Sequence, residues 1–287
     1  MGFGMISRLV QKVVQSISNA TDQSEAVRVP DGLEMTSSLP VLITGLFMFF
    51  FTCLVLSPAV GAGKPDHLVI AFFSSLEADS DLPAEWEPFL FKNIPSHTNY
   101  ALVTQDGNTV VRAISEASAS GLVRKIEVDP KAYPILEWRW KVNNILTTGD
   151  VSQKSGDDYA ARIYVTFAYD PSQLSFGNRI KYKAAKMLYG EYPPTGALNY
   201  IWGSKAPKNQ FVPNPYTDRA MMVVVETGSE KIGQWVTHSR NLLDDYRRAF
   251  QSDPPKISGI VIMTDTDNTG ESATAYYGDI VLRAVPQ

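Results

Sequence analysis

Cysteine is almost absent from this 287-residue chain. The single one, Cys53, lies in an apolar run, so nothing after residue 63 can form a disulfide, a thiolate metal site or a cysteine nucleophile. Stability there has to come from packing. Histidine is also scarce. His67, His97 and His238 are far apart in sequence, and His238 and Ser239 are neighbours in an extended stretch. Adjacent strand residues point to opposite faces, so these two make no nucleophile–base pair. No GxSxG, HExxH, P-loop or dinucleotide glycine pattern occurs. A surplus of one charge is missing too. From Gly63 onward 23 Lys and Arg stand against 26 Asp and Glu, which gives no electrostatic reason to expect nucleic acid as a partner.

Charged side chains are missing altogether between Met35 and Gly63. The apolar core runs from Val41 to Leu56, and the stretch is long enough to enter a bilayer. It leaves through small residues, with Val60 and Ala62 at the two positions a signal peptidase reads. The expected organisation therefore has three parts. Residues 1–34 are an N-terminal extension, either a mis-assigned start with Met35 as the true first residue or a cytoplasmic tail. Residues 35–62 are a signal peptide, cleaved after Ala62, or a membrane anchor. Residues 63–287 are one exported domain, periplasmic or anchored facing the periplasm. Membrane contact is expected only through the apolar segment, if it stays uncleaved.

Beyond residue 63 the pattern is mainly β. Short runs rich in Val, Ile, Tyr, Phe and Thr alternate with Gly, Pro, Asn and Asp. The spacing predicts strands at 67–73, 100–106, 108–116, 121–128, 135–143, 159–169, 197–203, 219–226, 233–239, 257–264 and 273–284. Asp106-Gly107-Asn108 reads as a hairpin turn, since these residues tolerate positive φ. Helices are predicted at 178–189 and 241–250, the second capped by Asn241, with Asp244 and Asp245 early and Arg247 and Arg248 late. Segments 77–88 and 204–217 are Pro-rich and read as irregular. Many short strands and two short helices predict an antiparallel two-sheet β-sandwich of jelly-roll, carbohydrate-binding-module-like type.

Two strands carry the candidate chemistry. In Leu136 to Val142, strict alternation puts Leu136, Trp138, Trp140 and Val142 on one face and Glu137, Arg139 and Lys141 on the other. In Tyr159 to Tyr169, Ala161, Ile163, Val165 and Phe167 oppose Ala160, Arg162, Tyr164 and Thr166. If these strands are neighbours, Arg139, Lys141, Arg162 and Tyr164 make one polar patch. It is either a solvated outer face or a ligand platform, because Arg and Tyr combine hydrogen bonding with stacking surface. Asp157 and Asp158 start the second strand. They are candidates for ligand binding, for acid–base work or for pairing with Arg162. Asp265, Asp267, Thr269 and Gly270 mimic the start of an EF-hand loop, but Tyr276 stands where the last ligand belongs and the flanks are strands. Asp265, Asp267 and Thr269 are therefore candidates for a different kind of Ca2+ site, with an Asx-rich turn as the alternative. Trp202 and Trp235 each read as a core residue or a sugar platform.

Several segments together resemble a known family. They are Leu136-Glu137-Trp138-Arg139-Trp140-Lys141, Asp157 to Val165, Leu198 to Gly203, Trp235 with Arg240-Asn241, Asp244-Asp245-Tyr246, Met263 to Gly270 and Ala275 to Ile280. In that order they are similar to the bacterial exported family called domain of unknown function 3047, over residues 67–284. The resemblance implies one β-rich exported domain and brings no catalytic residues with it. The residues themselves favour a non-catalytic module that binds a glycan or envelope polysaccharide through Arg139, Lys141, Asp157, Asp158, Arg162 and Tyr164. The alternatives are a polysaccharide-active enzyme using two of these carboxylates, or a structural domain whose ligand is another protein.

Overall fold

The computed structural model describes residues 65–285, apart from 175, 190 and 191. The extension 1–34, the apolar segment 35–62 and the expected cleavage after Ala62 lie outside the described residues. None of the described helices is long and apolar enough to cross a membrane.

Among the described residues, thirteen strands form two sheets. The first contains β1 (His67–Ala71), β3 (Asn99–Gln105), β4 (Asn108–Glu116), β6 (Ile135–Val142), β11 (Val236–Asn241) and β13 (Ser272–Arg283). Its order is β11-β6-β13-β4-β3, with β1 beside the far half of β13. The second contains β2 (Glu87–Phe89), β5 (Ala119–Val128), β7 (Tyr159–Phe167), β8 (Gly196–Gly203), β9 (Phe211–Pro213), β10 (Ala220–Thr227) and β12 (Ile257–Asp265), in the order β2-β5-β12-β7-β8-β10-β9. The expected two-sheet sandwich is thus what the chain forms. One pair departs from the antiparallel pattern: β8 and β10 run parallel, because the chain leaves β8, passes along the edge as β9 and turns back into β10.

The alternation of β6 decides which side faces in. Leu136, Trp138, Trp140 and Val142 are all 2 % exposed or less and meet Ala161, Ile163, Val165, Phe167, Tyr200 and Trp202 of the other sheet in one core. Trp138 and Trp140 pack edge to face at 5.5 Å. Trp202 is core as well, its Nε1–H donating to the Gly228 carbonyl at 3.1 Å.

Strand β9 falls in a segment that the sequence marks as irregular, and β2 begins at the end of the other. Each contains a proline, Pro88 or Pro213, and each lies at an end of the second sheet. Proline has no N–H for a ladder, so an edge is where such strands belong. The hairpin at 105–108 turns as expected, with φ of 51° at Asp106 and 78° at Gly107. Among the described residues the α-helices are α1 (Phe176–Tyr189) and α2 (Leu242–Phe250). Asn241 caps α2, its Oδ1 accepting from the amides of Leu243 and Asp244.

Candidate ligand-binding surfaces

The single polar patch expected from Arg139, Lys141, Arg162 and Tyr164 does not form. Strands β6 and β7 belong to different sheets, and both send their polar side chains away from the shared core. Arg139 and Lys141 therefore lie on the outer face of the first sheet, and Arg162 and Tyr164 on the outer face of the second. These two faces are on opposite sides of the sandwich.

The outer face of the second sheet is roofed by loops. Arg162 and Tyr164 are each only 3 % exposed. A bulge enters β7 here: Met263 lies opposite Arg162 and Asp265 opposite Tyr159, so β7 spends one more residue than β12. That extra residue breaks the strict alternation and turns Tyr159 to the same side as Arg162. The guanidinium then sits over the rings of Tyr159 and Tyr164, at 5.1 and 5.2 Å. Its Nη2 pairs with Asp265 in close contact, and its Nη1 is 3.9 Å from Asp157. Burial alone would lower the guanidinium pKa, but Asp265 foremost among its neighbours outweighs this and raises it. Burial instead raises the pKa of Asp265, which Arg162 opposes and the nearby carboxylates of Asp158, Asp267 and Asp157 reinforce.

Asp158 is fully enclosed and holds the Asp-rich loop. Its Oδ2 accepts from the amides of Asn268 and Thr269 and from the Thr269 hydroxyl, and its Oδ1 accepts from Asn268 Nδ2. From the other side Glu271 accepts from the amides and hydroxyls of Thr147 and Thr148. Residues 143–158 and 265–271 are thereby laced together over the end of the second sheet. Carboxylate oxygens of Asp158, Asp265 and Asp267 lie within 4.8 Å of one another, a spacing that suits a cation. Yet Arg162 already brings positive charge to Asp265, and the Thr269 hydroxyl is spent on Asp158. The donor set expected to hold Ca2+ is largely committed to protein partners. Nor do Asp157, Asp158 and Asp265, at 5 %, 0 % and 1 % exposure, offer an acid and a base that a polysaccharide could reach.

Beside this cluster a cleft of about 230 Å³ opens at the sheet end, its walls including Asp150, Ser152, Tyr159, Lys205, Gln210 and Val212. It has room for roughly seven or eight waters. Tyr159 is 2 % exposed and bonds through its hydroxyl to Asp157, so it presents no ring face there.

On the outer face of the first sheet Arg139, Arg112 and Trp235 are partly exposed, whereas Lys141 and Tyr276 are only 7 % and 8 % exposed. Arg139 and Lys141 meet an aromatic that the sequence left undecided between core and platform. Trp235 lies just before β11 and is only partly buried. The Arg139 guanidinium is 4.8 Å and the Lys141 ammonium 5.2 Å from its ring centre. The Trp235 Nε1–H donates to Asp106 at 2.9 Å, and Lys141 bonds to Gln105 at 2.7 Å and Asp106 at 3.3 Å. These donors, Trp235 first and Lys141 next, hold the Asp106 carboxyl below its usual pKa. Across the sheet, Tyr276 pairs in register with Lys141 on one side and Arg112 on the other. The β13 bulge at Gly278 makes room for Arg139: a Cβ at Gly278 would stand 2.6 Å from Arg139 Cγ and Nε. Asp106, Arg112 and Gly278 are contributors that strand-by-strand reading does not reveal, because they join the patch only through sheet order.

A family model described as a protein of unknown function, DUF3047, matches residues 84–281. The chain belongs to the DUF3047 family. That span runs from just before β2 almost to the end of β13, so this DUF3047 domain includes nearly the whole sandwich. No curated protein matches it. Among solved structures, a family 29 carbohydrate-binding module is similar over 75 % of this chain and 90 % of its own, at 10 % identity and a TM-score of 0.30. The K1 cleaved adhesin domain of Lys-gingipain from Porphyromonas gingivalis W83 is similar over 77 % and 99 %, at 10 % identity and 0.32. The glycoside hydrolase domain of Endo-D from Streptococcus pneumoniae R6 is similar over 67 % of this chain and 20 % of its own, at 9 % identity and 0.27. The DUF3047 chain thus spans a fifth of the Endo-D chain. Likenesses this distant carry no argument about ligand or activity.

Proposed function

We propose that this domain is an exported, non-catalytic glycan-binding module of the cell envelope, with the outer face of the first sheet as its binding surface. The observation that carries this reading is Trp235. A partly exposed indole, held at its edge by Asp106, with the Arg139 and Lys141 cations over its ring at 4.8 and 5.2 Å, sets aromatic surface beside the guanidinium donors of Arg139. A sugar ring needs both at once, C–H groups against an aromatic face and hydroxyls toward polar neighbours. The apolar segment 35–62 supports an address outside the cytoplasm. The enclosed carboxylates of the second sheet lend no support to an enzyme.

The test is a glycan array probed with the purified chain and with Trp235→Ala. Binding that disappears in the variant, with the melting transition kept, supports the module. Binding to no glycan, or binding indifferent to Trp235, removes it.

A further inference from the structure

On that reading of the Trp235 surface as a glycan site, we infer that it selects acidic sugars, with a ring carboxylate of a uronic acid residue as the group recognised. Three cations share this face. Lys141 is paired with Asp106, which also accepts from Trp235. Arg139 and Arg112 have no carboxylate within ion-pair distance among the described residues, and Arg112 Nε is buried with no hydrogen-bond partner. Several arginines elsewhere do have such partners, Arg283 with Glu137, Arg240 with Asp245 and Arg162 with Asp265, although Arg248 lies over Phe211 without one among the described residues. The outer face of the first sheet thus keeps two guanidinium groups outside any ion pair, with Asp106 acting on Arg139 only through its longer-range charge, on a chain that is net negative.

The geometry suits a ring-bearing anion rather than a bare polyanion. Strand neighbours are about 4.8 Å apart, so Arg112 and Lys141, on either side of Tyr276, are separated by about 10 Å of sheet. Arg139 is two residues from Lys141 on the same face, beside Trp235. The indole, Arg139, Lys141 and Arg112 therefore lie along one strip that crosses neighbouring strands of the outer face. A planar guanidinium takes a carboxylate through two parallel N–H bonds, which an ammonium cannot match.

The experiment is titration calorimetry of the purified chain with alginate, a polyuronate, and with the same polymer after its carboxyl groups are reduced to alcohols. Loss of a charge-assisted contact is expected to weaken binding about tenfold or more, so alginate should bind at least that much more tightly than its reduced form. Arg139→Gln and Arg112→Gln should each shrink the difference while leaving the melting transition in place. Equal affinity for both polymers, lost in Trp235→Ala, overturns the acid preference and leaves the glycan reading standing. No binding of either polymer or of any arrayed glycan removes both. Alginate binding that survives Trp235→Ala and is matched by polyphosphate also overturns it, as charge attraction alone.

Discussion

Thr269 gives Asp158 both its amide and its hydroxyl, at 2.6 and 2.8 Å, onto one carboxylate oxygen. Two residues 111 apart in sequence are thereby fixed as firmly as neighbours in a helix cap. The carboxylate is fully buried, so water cannot replace what a substitution removes. Asp158→Asn puts an amide donor against Asn268 or Thr269 and weakens every contact that relied on charge. Hydrogen bonds to charged groups contribute about 1.5–3 kcal/mol each, so the variant should lose about 2–4 kcal/mol in a urea melt. A loss under 1 kcal/mol would mean the loops hold without it.

The same contacts bear on calcium. With Arg162 on Asp265 and Thr269 on Asp158, the three clustered carboxylates have little to give an ion. A ligand that binds only the folded state adds about 2.7 kcal/mol at a hundred times its Kd. Calorimetric melts with millimolar Ca2+ and with chelator should therefore coincide. A calcium-dependent rise in Tm would show that Arg162 yields its place.

Glu271 should make the loop lacing sensitive to acid. Burial opposes its ionisation, but the hydroxyl and amide of Thr148, with those of Thr147, prevail and bring its pKa down to about 2. The folded pKa is below the unfolded one, so this contribution is present above about pH 4.3 and is lost as pH falls towards 2. Glu271→Gln should be less stable than the parent at pH 7, and the gap should narrow over that window. Melts at closely spaced pH values measure it, and a gap that stays constant would rule out the carboxylate as its source.

His238 acts in an adjoining window. It lies between the sheets against Trp138 and Trp140, with ring centres at 5.2 and 5.4 Å, and its Nε2 has no hydrogen-bond partner. Burial pushes its pKa down to about 4, only partly offset by the charge of Glu226. Here too the folded pKa is the lower one, so the neutral ring's contribution is complete above about pH 6.5 and drains away as pH falls to 4. The full swing is at most about 3 kcal/mol. In His238→Phe the dependence between pH 6.5 and 4 should flatten, whatever the variant's absolute stability. An unchanged slope would assign that dependence to other groups.

Much of this architecture is written locally. The inward face of β6, the hairpin at Asp106-Gly107 and the Asn241 cap each depend on residues within a few positions, where period and turn chemistry act directly. The Pro-bearing edge strands β2 and β9 are not legible, since their few residues gain strand form only from a partner. The candidate surface was half legible for a similar reason. Alternation correctly puts Arg139 with Lys141 and Arg162 with Tyr164, but nothing in either strand says that the chain changes sheets between them. Nor does it show that a bulge beside Ala160 would turn Tyr159 toward Arg162. Both facts belong to sheet order and register, which long-range packing decides.

Gly278 offers a way to disturb the outer face of the first sheet without changing any of its polar or aromatic side chains. No positive φ requires glycine here; the need is for space, because Arg139 lies where a Cβ would go. In Gly278→Ala the added methyl meets Arg139 Cγ and Nε at 2.6 Å, so the arginine must leave its rotamer and its place over Trp235. Arg139 is partly exposed and has somewhere to swing, so the fold should lose only about 1 kcal/mol, within the usual range for a single substitution. Glycan affinity should nevertheless fall to the level of Arg139→Gln, and the double variant should be no weaker than either single one. Such non-additivity is the mark of two residues acting through one side chain. Independent, additive losses in a double-mutant cycle would mean that Gly278 serves the surface by some route other than seating Arg139.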